Sequence, residues 1–521
     1  MNYENRIDQI FARWNKDDSP GGTIAIAKGD HIIFQKGYGC SQLEYGIPNT
    51  PDTIFHVASV SKQFTAFALA ILSEEGKLDL DAEIQEYLPD IPRFHKPITV
   101  RQLIHHVSGL RDQWQLLVLS GFRMDDVITH DQVMRLVKKQ KALNFDPGAE
   151  FLYSNTGYTL MAEIVKQVSG QDLVDFCDKR IFKPLGMDNT HFHLDHEMIV
   201  KNRAYSYAPY YDYYKKRVLS YANVGATSLF TTVLDLVKWS NNFENTVVGN
   251  KELLYRILET YTLNDGKEID YAFGLRISDY RGKKTISHGG ADAGFRSHFV
   301  KFPEEDLTIV VLTNVNISKP EQLALRVADL YIFDDQLEEE IATNPPVSTQ
   351  DIEGSYKMGP GMIVNITKKD KQFYIELPRT ELSTLTKIDD NTFMIDVIGE
   401  KLLTYYDEQG NVEINLKHVF GRDTIAKKLE LRHLHNYNLN DYIGTYYSEE
   451  LSTSYKIRKV GDELVLSSIR MNDMPLLMLE KDKFEGKNSF AQIDFVRTDI
   501  NKVTKLKLTG GRVRNIVFDK I

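Results

Sequence analysis

A serine and a lysine three positions apart, Ser59 and Lys62, stand at the start of a long apolar run. If this run is a helix, the two side chains share a face, because residues i and i+3 are neighbours on a helix surface, whereas Ser61 points away. The residues from Phe64 to Leu72 are apolar almost all round, which predicts a buried helix. Burial lowers the pKa of a lysine ammonium, so Lys62 is a candidate base for the Ser59 hydroxyl.

A second polar group, Tyr153-Ser154-Asn155, follows a turn at Pro147-Gly148 and precedes a helical pattern. That placement suits a loop that carries side chains into a cleft. A phenol has an unperturbed pKa of about 10 and becomes a usable base when an ammonium lies beside it. Tyr153 is therefore a second candidate for proton transfer.

A third segment, Thr285 to Ala291, is a β-run that ends in His288 followed by Gly289 and Gly290. Glycine lets a backbone approach a ligand closely. A strand edge of this kind can hold a substrate amide and direct an N–H at a developing oxyanion. A glycine turn with an incidental histidine is the alternative, and this segment alone does not separate the two.

The part of the sequence that must position these groups has strand character at both ends of the first 330 residues and helical character between them. Residues 21–39 read as a hairpin, and strand character returns at 284–288, 297–302 and 307–313. The economical arrangement is one antiparallel sheet built from both ends, with a helical subdomain packed beside it. We therefore expect an α+β fold for this part of the chain.

The composition changes after an acidic run at 334–340 and a linker signal at Asn344-Pro345-Pro346. The remainder consists of short β-runs with an internal repeat, since Asp351–Tyr356 resembles Asp441–Tyr446 ninety positions later. This pattern predicts two tandem antiparallel barrels or sandwiches of similar size. The expected domains are residues 1–340, 345–432 and 437–521.

Bulk properties exclude several classes of protein. A net charge of -10 without a basic stripe argues against nucleic acid as a partner. Cys40 and Cys177 are far apart in sequence, which favours two free thiols over a disulfide framework or a structural zinc. The N-terminus lacks the apolar core of a signal peptide, so we expect a cytoplasmic protein without membrane spans, unless a leader has been removed.

The ordered set S-x-x-K, Y-x-N about a hundred residues on, and H-x-G on a late strand resembles the penicillin-recognising serine hydrolases. That family includes class C β-lactamases, DD-peptidases and esterases, and the resemblance covers roughly residues 5 to 335. Two further stretches agree with it, Leu103 to Leu110 and Ala272 to Leu275. Ser59 to Thr65, Gly109 to Asp112 and the two C-terminal β-modules resemble the D-aminopeptidase branch, which carries two eight-stranded, lipocalin-like barrels.

The resemblance implies a role for each residue of the three motifs. Ser59 is the nucleophile that forms an acyl-enzyme, and Lys62 and Tyr153 share proton transfer, with the dominant base left open. Asn155 holds Lys62 and the substrate. The N–H groups of Ser59 and Ala291 form the oxyanion hole. Gly289, Gly290 and Ala291 bind the substrate, and His288 counts with Ser59, Lys62 and Tyr153 among the catalytic residues. No metal or cofactor is implied.

The same resemblance places an acidic residue in a loop of the last barrel, where it binds the free amine of the substrate. The matching residue here is Asp473 in Met471-Asn472-Asp473-Met474. A solvated aspartate in a turn is the equal alternative.

The third motif departs from the Lys-Thr-Gly of many relatives, because His288 replaces a permanent cation with a group largely neutral at pH 7. Such a site should bind a substrate carboxylate less tightly than a site with Lys-Thr-Gly. We therefore expect an aminopeptidase or amidase that releases N-terminal D-amino acids from small peptides, amides or esters. An esterase, a DD-peptidase or β-lactamase-like hydrolase, and a weakly active penicillin-binding sensor are the alternatives; β-lactams as ligands and a homodimer stay open.

Overall fold

The structure, a computed structural model, describes the chain in eleven stretches. They are residues 3–210, 213–333, 352–359, 362–377, 382–396, 400–407, 409–417, 424–429, 437–470, 472–487 and 491–521. The described chain forms two compact units, one holding the central sheet with its helices and the other holding both barrels. The acidic run, the Pro-Pro linker and the expected boundaries at 340, 345 and 432 lie outside the described residues.

The first unit is built on a six-stranded antiparallel sheet of order β3-β4-β5-β6-β1-β2. Its strands are β1 Gly22–Lys28, β2 His31–Tyr38, β3 Arg276–Tyr280, β4 Lys283–Asp292, β5 Phe295–Phe302 and β6 Leu307–Thr313. Gly22 of β1 pairs with Tyr38 on one side and with Thr313 on the other, which joins the two ends of this unit. The expectation of one sheet from both ends is confirmed.

The central strands read as nearly continuous apolar runs because both faces of the sheet are covered. Every residue of β6 is buried, as are the first six residues of β1. One face packs against the first and last helices of the unit, with Ile7, Phe11 and Val327 in the shared core. Cys40 and Cys177 are both buried and free, as the sequence predicts.

In the sequence, helices precede, separate and follow the strands of the sheet. They are α1 Tyr3–Ile10, α2 Lys62–Glu74, α3 Ile84–Tyr87, α4 Val100–Ile104, α5 Gln113–Leu119, α6 His130–Val137, α7 Asn155–Ser169, α8 Leu173–Cys177, α9 Val233–Asn245, α10 Lys251–Arg256 and α11 Pro320–Ile332. A 3₁₀ turn, Ala58–Ser61, leads into α2, and a π-helical turn, Asp178–Phe182, follows α8. None of the described helices combines the length and the apolar composition that a membrane crossing requires.

Short strands complete the first unit and are not labelled further. They are Cys40–Gln42, Ile47–Pro48, Phe55–His56, Ile128–Thr129, His191–Phe192, Ser206–Tyr210, Tyr213–Arg217, Tyr221–Ala222, Leu229–Thr231, Tyr261–Thr262 and Glu268–Ile269. Among them, Phe55–His56 pairs with Leu229–Thr231 just before the 3₁₀ turn. This pairing fixes the entry to α2 against a strand that lies far away in sequence.

The second unit contains two closed eight-stranded antiparallel barrels. The first comprises β7 Gly354–Gly359, β8 Met362–Lys369, β9 Gln372–Glu376, β10 Ser383–Lys387, β11 Thr392–Ile395, β12 Glu400–Tyr406, β13 Val412–Leu416 and β14 Thr424–Lys428. The second comprises β15 Gly444–Ser448, β16 Thr453–Val460, β17 Glu463–Ser468, β18 Met474–Glu480, β19 Lys483–Gly486, β20 Ala491–Arg497, β21 Val503–Gly510 and β22 Val513–Lys520. The predicted α+β domain followed by two barrels is confirmed.

The internal repeat has a structural counterpart at its tyrosines. The Tyr356 hydroxyl donates to the carbonyl of Ile352, and the Tyr446 hydroxyl donates to the carbonyl of Tyr442, each at 2.8 Å. Both tyrosines are fully buried in the first strand of their barrel. The repeated motif therefore ties the chain that enters each barrel to the barrel's first strand.

One segment of the early sequence belongs to the second unit. Residues Gln115–Phe122, which lie within the expected domain 1–340, group with the barrels. The Tyr455 hydroxyl donates to the Leu119 carbonyl at 2.7 Å, and the Gln115 side-chain oxygen accepts from the Arg512 backbone N–H at 3.2 Å. No change in composition marks this segment, because a buried helix face has the same apolar composition whichever surface packs against it.

The tyrosine bond of the second barrel gives a stability prediction. Tyr446→Phe leaves the buried Tyr442 carbonyl without its donor and should destabilise that barrel by about 1 kcal/mol. Differential scanning calorimetry of the full chain should show the barrel transition at a lower temperature. Tyr447→Phe is the matched control, since Tyr447 is 40% exposed and should leave the transition in place. Equal midpoints for the two variants would contradict the role of the bond.

Candidate active site

The side chain of Lys62 is fully buried at the first turn of α2 and ends among three oxygen atoms. Its Nζ lies 3.1 Å from Ser59 Oγ, 2.8 Å from Asn155 Oδ1 and 2.6 Å from the Ala226 carbonyl oxygen. The serine and the lysine therefore share one side of the turn, as their spacing predicts. A buried amino group needs such partners, because burial removes its hydration.

Asn155 is held in one orientation by a buried carboxylate. Asp112 Oδ2 accepts from both the backbone N–H and the side-chain Nδ2 of Asn155, each at 2.8 Å. Asp112 is fully buried, and its Oδ1 accepts from the Trp114 backbone N–H. With Nδ2 bound to a carboxylate, the amide must present Oδ1 to Lys62. Asp112 thus positions Lys62 through Asn155.

Ser61 has a different environment from Ser59. Its hydroxyl donates to the Ala58 carbonyl and accepts from the Leu229 backbone N–H at 3.0 Å, and the side chain is fully buried. These bonds connect the 3₁₀ turn to the neighbouring strand. The geometry gives Ser61 a structural role and leaves Ser59 as the serine beside the lysine.

Tyr153 lies with its ring beside the same amino group. Lys62 Nζ is 4.8 Å from the centroid of the Tyr153 ring. The ring centroids of His106 and Tyr153 are 4.1 Å apart. His106 also accepts from the Ser154 backbone N–H through Nδ1 at 3.1 Å. The second motif is therefore fixed next to Lys62 by a histidine that precedes it by nearly fifty residues.

His288 is buried, and both of its ring nitrogens have partners. Nδ1 lies 2.6 Å from the Gly289 carbonyl and Nε2 lies 2.9 Å from the Tyr271 hydroxyl. A carbonyl only accepts, so Nδ1 carries the proton and Nε2 accepts from Tyr271. Burial and the nearby Lys62 charge lower the pKa of His288 to about 3. The imidazole is therefore neutral, in line with the expectation for this position.

Tyr271 joins the third motif to the Leu103–Leu110 stretch. His105 Nδ1 donates to the Tyr271 carbonyl at 2.8 Å, and Tyr271 itself is fully buried. Burial lowers the pKa of His105 to about 4, so it too is a neutral donor. The two consecutive histidines thus position different motifs, His106 the tyrosine loop and His105 the β-strand.

The end of β4 presents an open edge beside Ser59. Within the described chain β4 pairs with β3 only as far as Ser287, whereas its pairing with β5 continues to Asp292. A Cβ built on Gly290 would lie 2.2 Å from the Val57 carbonyl oxygen and 3.1 Å from Ser59 N. Only glycine allows this approach, which brings the strand against the turn that carries Ser59.

The two glycines of the third motif therefore differ in the space that a side chain would have. A Cβ on Gly289 would meet nothing closer than 3.6 Å, and both Gly289 and Ala291 are exposed at the free edge. An unpaired strand edge offers N–H and C=O groups to an extended ligand. The backbone of β4 can therefore receive a substrate in the place of a neighbouring strand.

Asp473 lies in the second barrel, directly before β18. Its carboxylate accepts from Arg458 Nη2 and from Ser467 Oγ, each at 2.7 Å, and 59% of the side chain is exposed. These bonds lower the pKa of Asp473, with the Ser467 hydroxyl as the larger cause. Its expected role in amine binding stays a prediction.

Sequence reasoning missed several groups that this arrangement depends on. The Ala226 carbonyl holds Lys62 through the main chain, so no side chain marks it. Tyr271 and Asp112 were not assigned, although Asp112 belongs to the Gly109-Leu110-Arg111-Asp112 stretch. Its place in that stretch, which carries the family resemblance, was the one available signal for Asp112.

Curated relatives are similar to part of this chain. The D-aminopeptidase of Brucella anthropi is 30% identical over 300 residues, a match that covers 57% of this chain and 56% of that protein. The chain thus spans little more than half the length of this relative. Penicillin-binding protein 4* of Bacillus subtilis (strain 168) is 24% identical over 402 residues, which covers 72% of this chain and 88% of that protein.

A solved structure shares the fold. The octameric penicillin-binding protein homologue from Pyrococcus abyssi superposes with a TM-score of 0.58 at 23% identity, covering 82% of this chain and 99% of that chain. The family model named Beta-lactamase matches residues 7–332, which include Ser59, Lys62, Tyr153 and His288. Because this match extends over more than half of the sequence, the protein belongs to the Beta-lactamase family.

Proposed function

We propose that the chain is a serine hydrolase that forms an acyl-enzyme on Ser59 and releases N-terminal D-residues from small peptides, amides or esters. The observation that carries this proposal is the contact between Lys62 Nζ and Ser59 Oγ at 3.1 Å, with Lys62 held from behind by two fixed acceptors. The D-aminopeptidase relatives support the class of substrate.

The contacts of Lys62 suit a general base. A neutral amine has two N–H groups, which match the Asn155 and Ala226 oxygens, and one lone pair, which is then directed at the Ser59 hydroxyl. The proton of Ser59 Oγ passes to this lone pair as Oγ attacks the substrate carbonyl carbon. Tyr153, whose ring adjoins Lys62, is the other group able to relay the proton, and which of the two dominates is left open.

The remaining steps use the edge of β4. The carbonyl oxygen gains negative charge as the Ser59 ester bond forms, and the backbone N–H groups of Ser59 and Ala291 would stabilise it. The proton held by Lys62 or Tyr153 goes to the leaving amine, whose bond to the carbonyl carbon breaks. Water then attacks the acyl-enzyme, loses its proton to the same base, and restores the Ser59 hydroxyl.

The third motif supports a substrate without a recognised carboxylate. His288 is neutral and is bound to Tyr271 and to the Gly289 carbonyl, so it offers no positive charge to a carboxylate. We therefore place aminopeptidase or amidase activity before the DD-peptidase, β-lactamase-like and esterase alternatives. Binding of β-lactams, a homodimer and a cytoplasmic location are kept as predictions from the sequence.

Two serine variants test the nucleophile. Ser59→Ala should lower kcat by at least about 10³-fold because the attacking oxygen is removed. Ser61→Ala should retain most of the activity of the folded protein and lose about 1–2 kcal/mol of stability, since the buried Leu229 N–H loses its acceptor. Turnover and thermal unfolding of both variants provide the measurements. Full activity in Ser59→Ala would disprove the mechanism.

A pair of anilides tests the specificity for a free amine. The wild-type protein should cleave D-alanine p-nitroanilide and leave its N-acetylated form and the L-isomer largely intact. Release of p-nitroaniline is followed by absorbance, with short-chain p-nitrophenyl esters as the comparison for esterase activity. Equal rates on the free and acetylated anilides would reject the aminopeptidase proposal in favour of an esterase or amidase without amine recognition.

A further inference from the structure

A carboxylate stands at the end of the active-site strand, and the proposed mechanism does not use it. Asp292 is the last residue of β4 and directly follows Ala291. Asp292 Oδ2 lies 3.1 Å from His56 Nε2 and accepts from the Thr227 hydroxyl. The side chain is 16% exposed, while that of His56 is fully buried. The carboxylate is thus anchored through one oxygen and retains some access to solvent.

The anchors place this carboxylate close to the reacting groups. Side chains at alternate positions of a strand share a face, so Asp292 lies on the face where a Cβ on Gly290 would reach within 3.1 Å of Ser59 N. His56 precedes Ser59 by three residues, and Thr227 follows Ala226, whose carbonyl binds Lys62. Each contact of Asp292 is therefore made to a segment that also holds a catalytic group.

The two direct partners of Asp292 are His56 and Thr227, and neither side chain carries a permanent positive charge. Thr227 contributes a neutral hydroxyl. His56 carries no permanent charge, and its Nδ1 is buried without a hydrogen-bond partner among the described residues. Asp473 differs, because it forms an ion pair with Arg458 at 2.7 Å.

Arg296 is a cation that the charge of Asp292 influences. Burial lowers the pKa of Arg296, and the Asp292 charge opposes this effect, but Arg296 Nη1 donates to the carbonyls of Phe295 and Ala293. On another side, Tyr221 is buried and stacks on Trp114 with ring centroids 4.8 Å apart. Burial, and to a smaller extent the charge of Asp292, raises the pKa of Tyr221, so the effect of the carboxylate extends to this aromatic pair.

We propose that Asp292 is the anionic subsite that binds the ammonium group of the substrate's N-terminal residue. This inference rests on the proposed function and assigns its amine recognition to a residue of the first unit. The α-ammonium is one carbon away from the carbonyl that the N–H groups of Ser59 and Ala291 would hold, so it lies next to the end of β4. His56 and Thr227 position the carboxylate for this contact.

The test compares two anilides that differ only in the amine. D-alanine p-nitroanilide carries it, and propionic acid p-nitroanilide lacks it. The ratio of their kcat/KM values does not depend on the folded fraction of a variant, so partial misfolding cannot mimic the effect. Asp292→Asn, which keeps the size and loses the charge, should lower this ratio about 100-fold.

Two carboxylate variants serve as controls. Asp30→Asn alters an aspartate that is 66% exposed in the β1–β2 turn and should leave the ratio at its wild-type value. Asp473→Asn tests the alternative amine site. A drop in the ratio for Asp473→Asn with no drop for Asp292→Asn would overturn the assignment.

The outcomes also separate this inference from the proposed function. A wild-type protein with equal kcat/KM on both anilides has no amine specificity, which rejects the aminopeptidase proposal and this subsite together. A wild-type protein that prefers the amine, with an unchanged ratio in Asp292→Asn, rejects only the subsite.

A binding measurement gives a readout that needs no turnover. In the Ser59→Ala background, D-alaninamide should bind at least about tenfold more tightly than propionamide by isothermal titration calorimetry. Adding Asp292→Asn should remove this difference. Retention of the full difference in the double variant would overturn the proposal.

Discussion

The position of the Lys62 amino group is the constraint on which the rest of the site depends. A buried amine without acceptors is strongly unfavourable, so the fold must supply oxygens at its tip. Asn155, from the start of α7, and the Ala226 carbonyl, from a loop before Leu229–Thr231, meet there. These two bonds fix the amino group, and Ser59 Oγ lies 3.1 Å from it.

Behind these direct contacts lies a set of buried polar groups, each of which fixes one motif to another. Asp112 orients Asn155, and His106 binds the backbone of the loop that carries Tyr153. His105 binds the Tyr271 carbonyl, and the Tyr271 hydroxyl binds the third motif. Because each of these bonds is buried, losing one partner leaves another group unsatisfied, which makes the geometry of the site mutually dependent.

The parts of the fold that follow from local sequence were predictable. Ser59 and Lys62 share a face because of helix periodicity, the β1–β2 hairpin has its turn residues, and the barrel repeat is visible in the chain itself. Groups that act through the main chain were not predictable, since the Ala226 carbonyl would be the same with any side chain. Asp112 and Asp292 required tertiary contacts, because an isolated acidic residue in a loop or at a strand end has no periodic signature.

The grouping of Gln115–Phe122 with the barrels was also beyond the reach of sequence, since composition cannot tell which surface covers a helix.

The charges around the site bear on which end of a peptide the proposed enzyme would bind. A carboxylate-binding enzyme needs a permanent cation near the strand edge, and here that position holds His288, which burial and Lys62 keep neutral. Lys62 exchanges its proton during the proposed cycle, so its charge is not constant either. The negative charge of Asp292 adjoins the same edge. Both features favour, for the proposed enzyme, a substrate that is positively charged next to the scissile carbonyl.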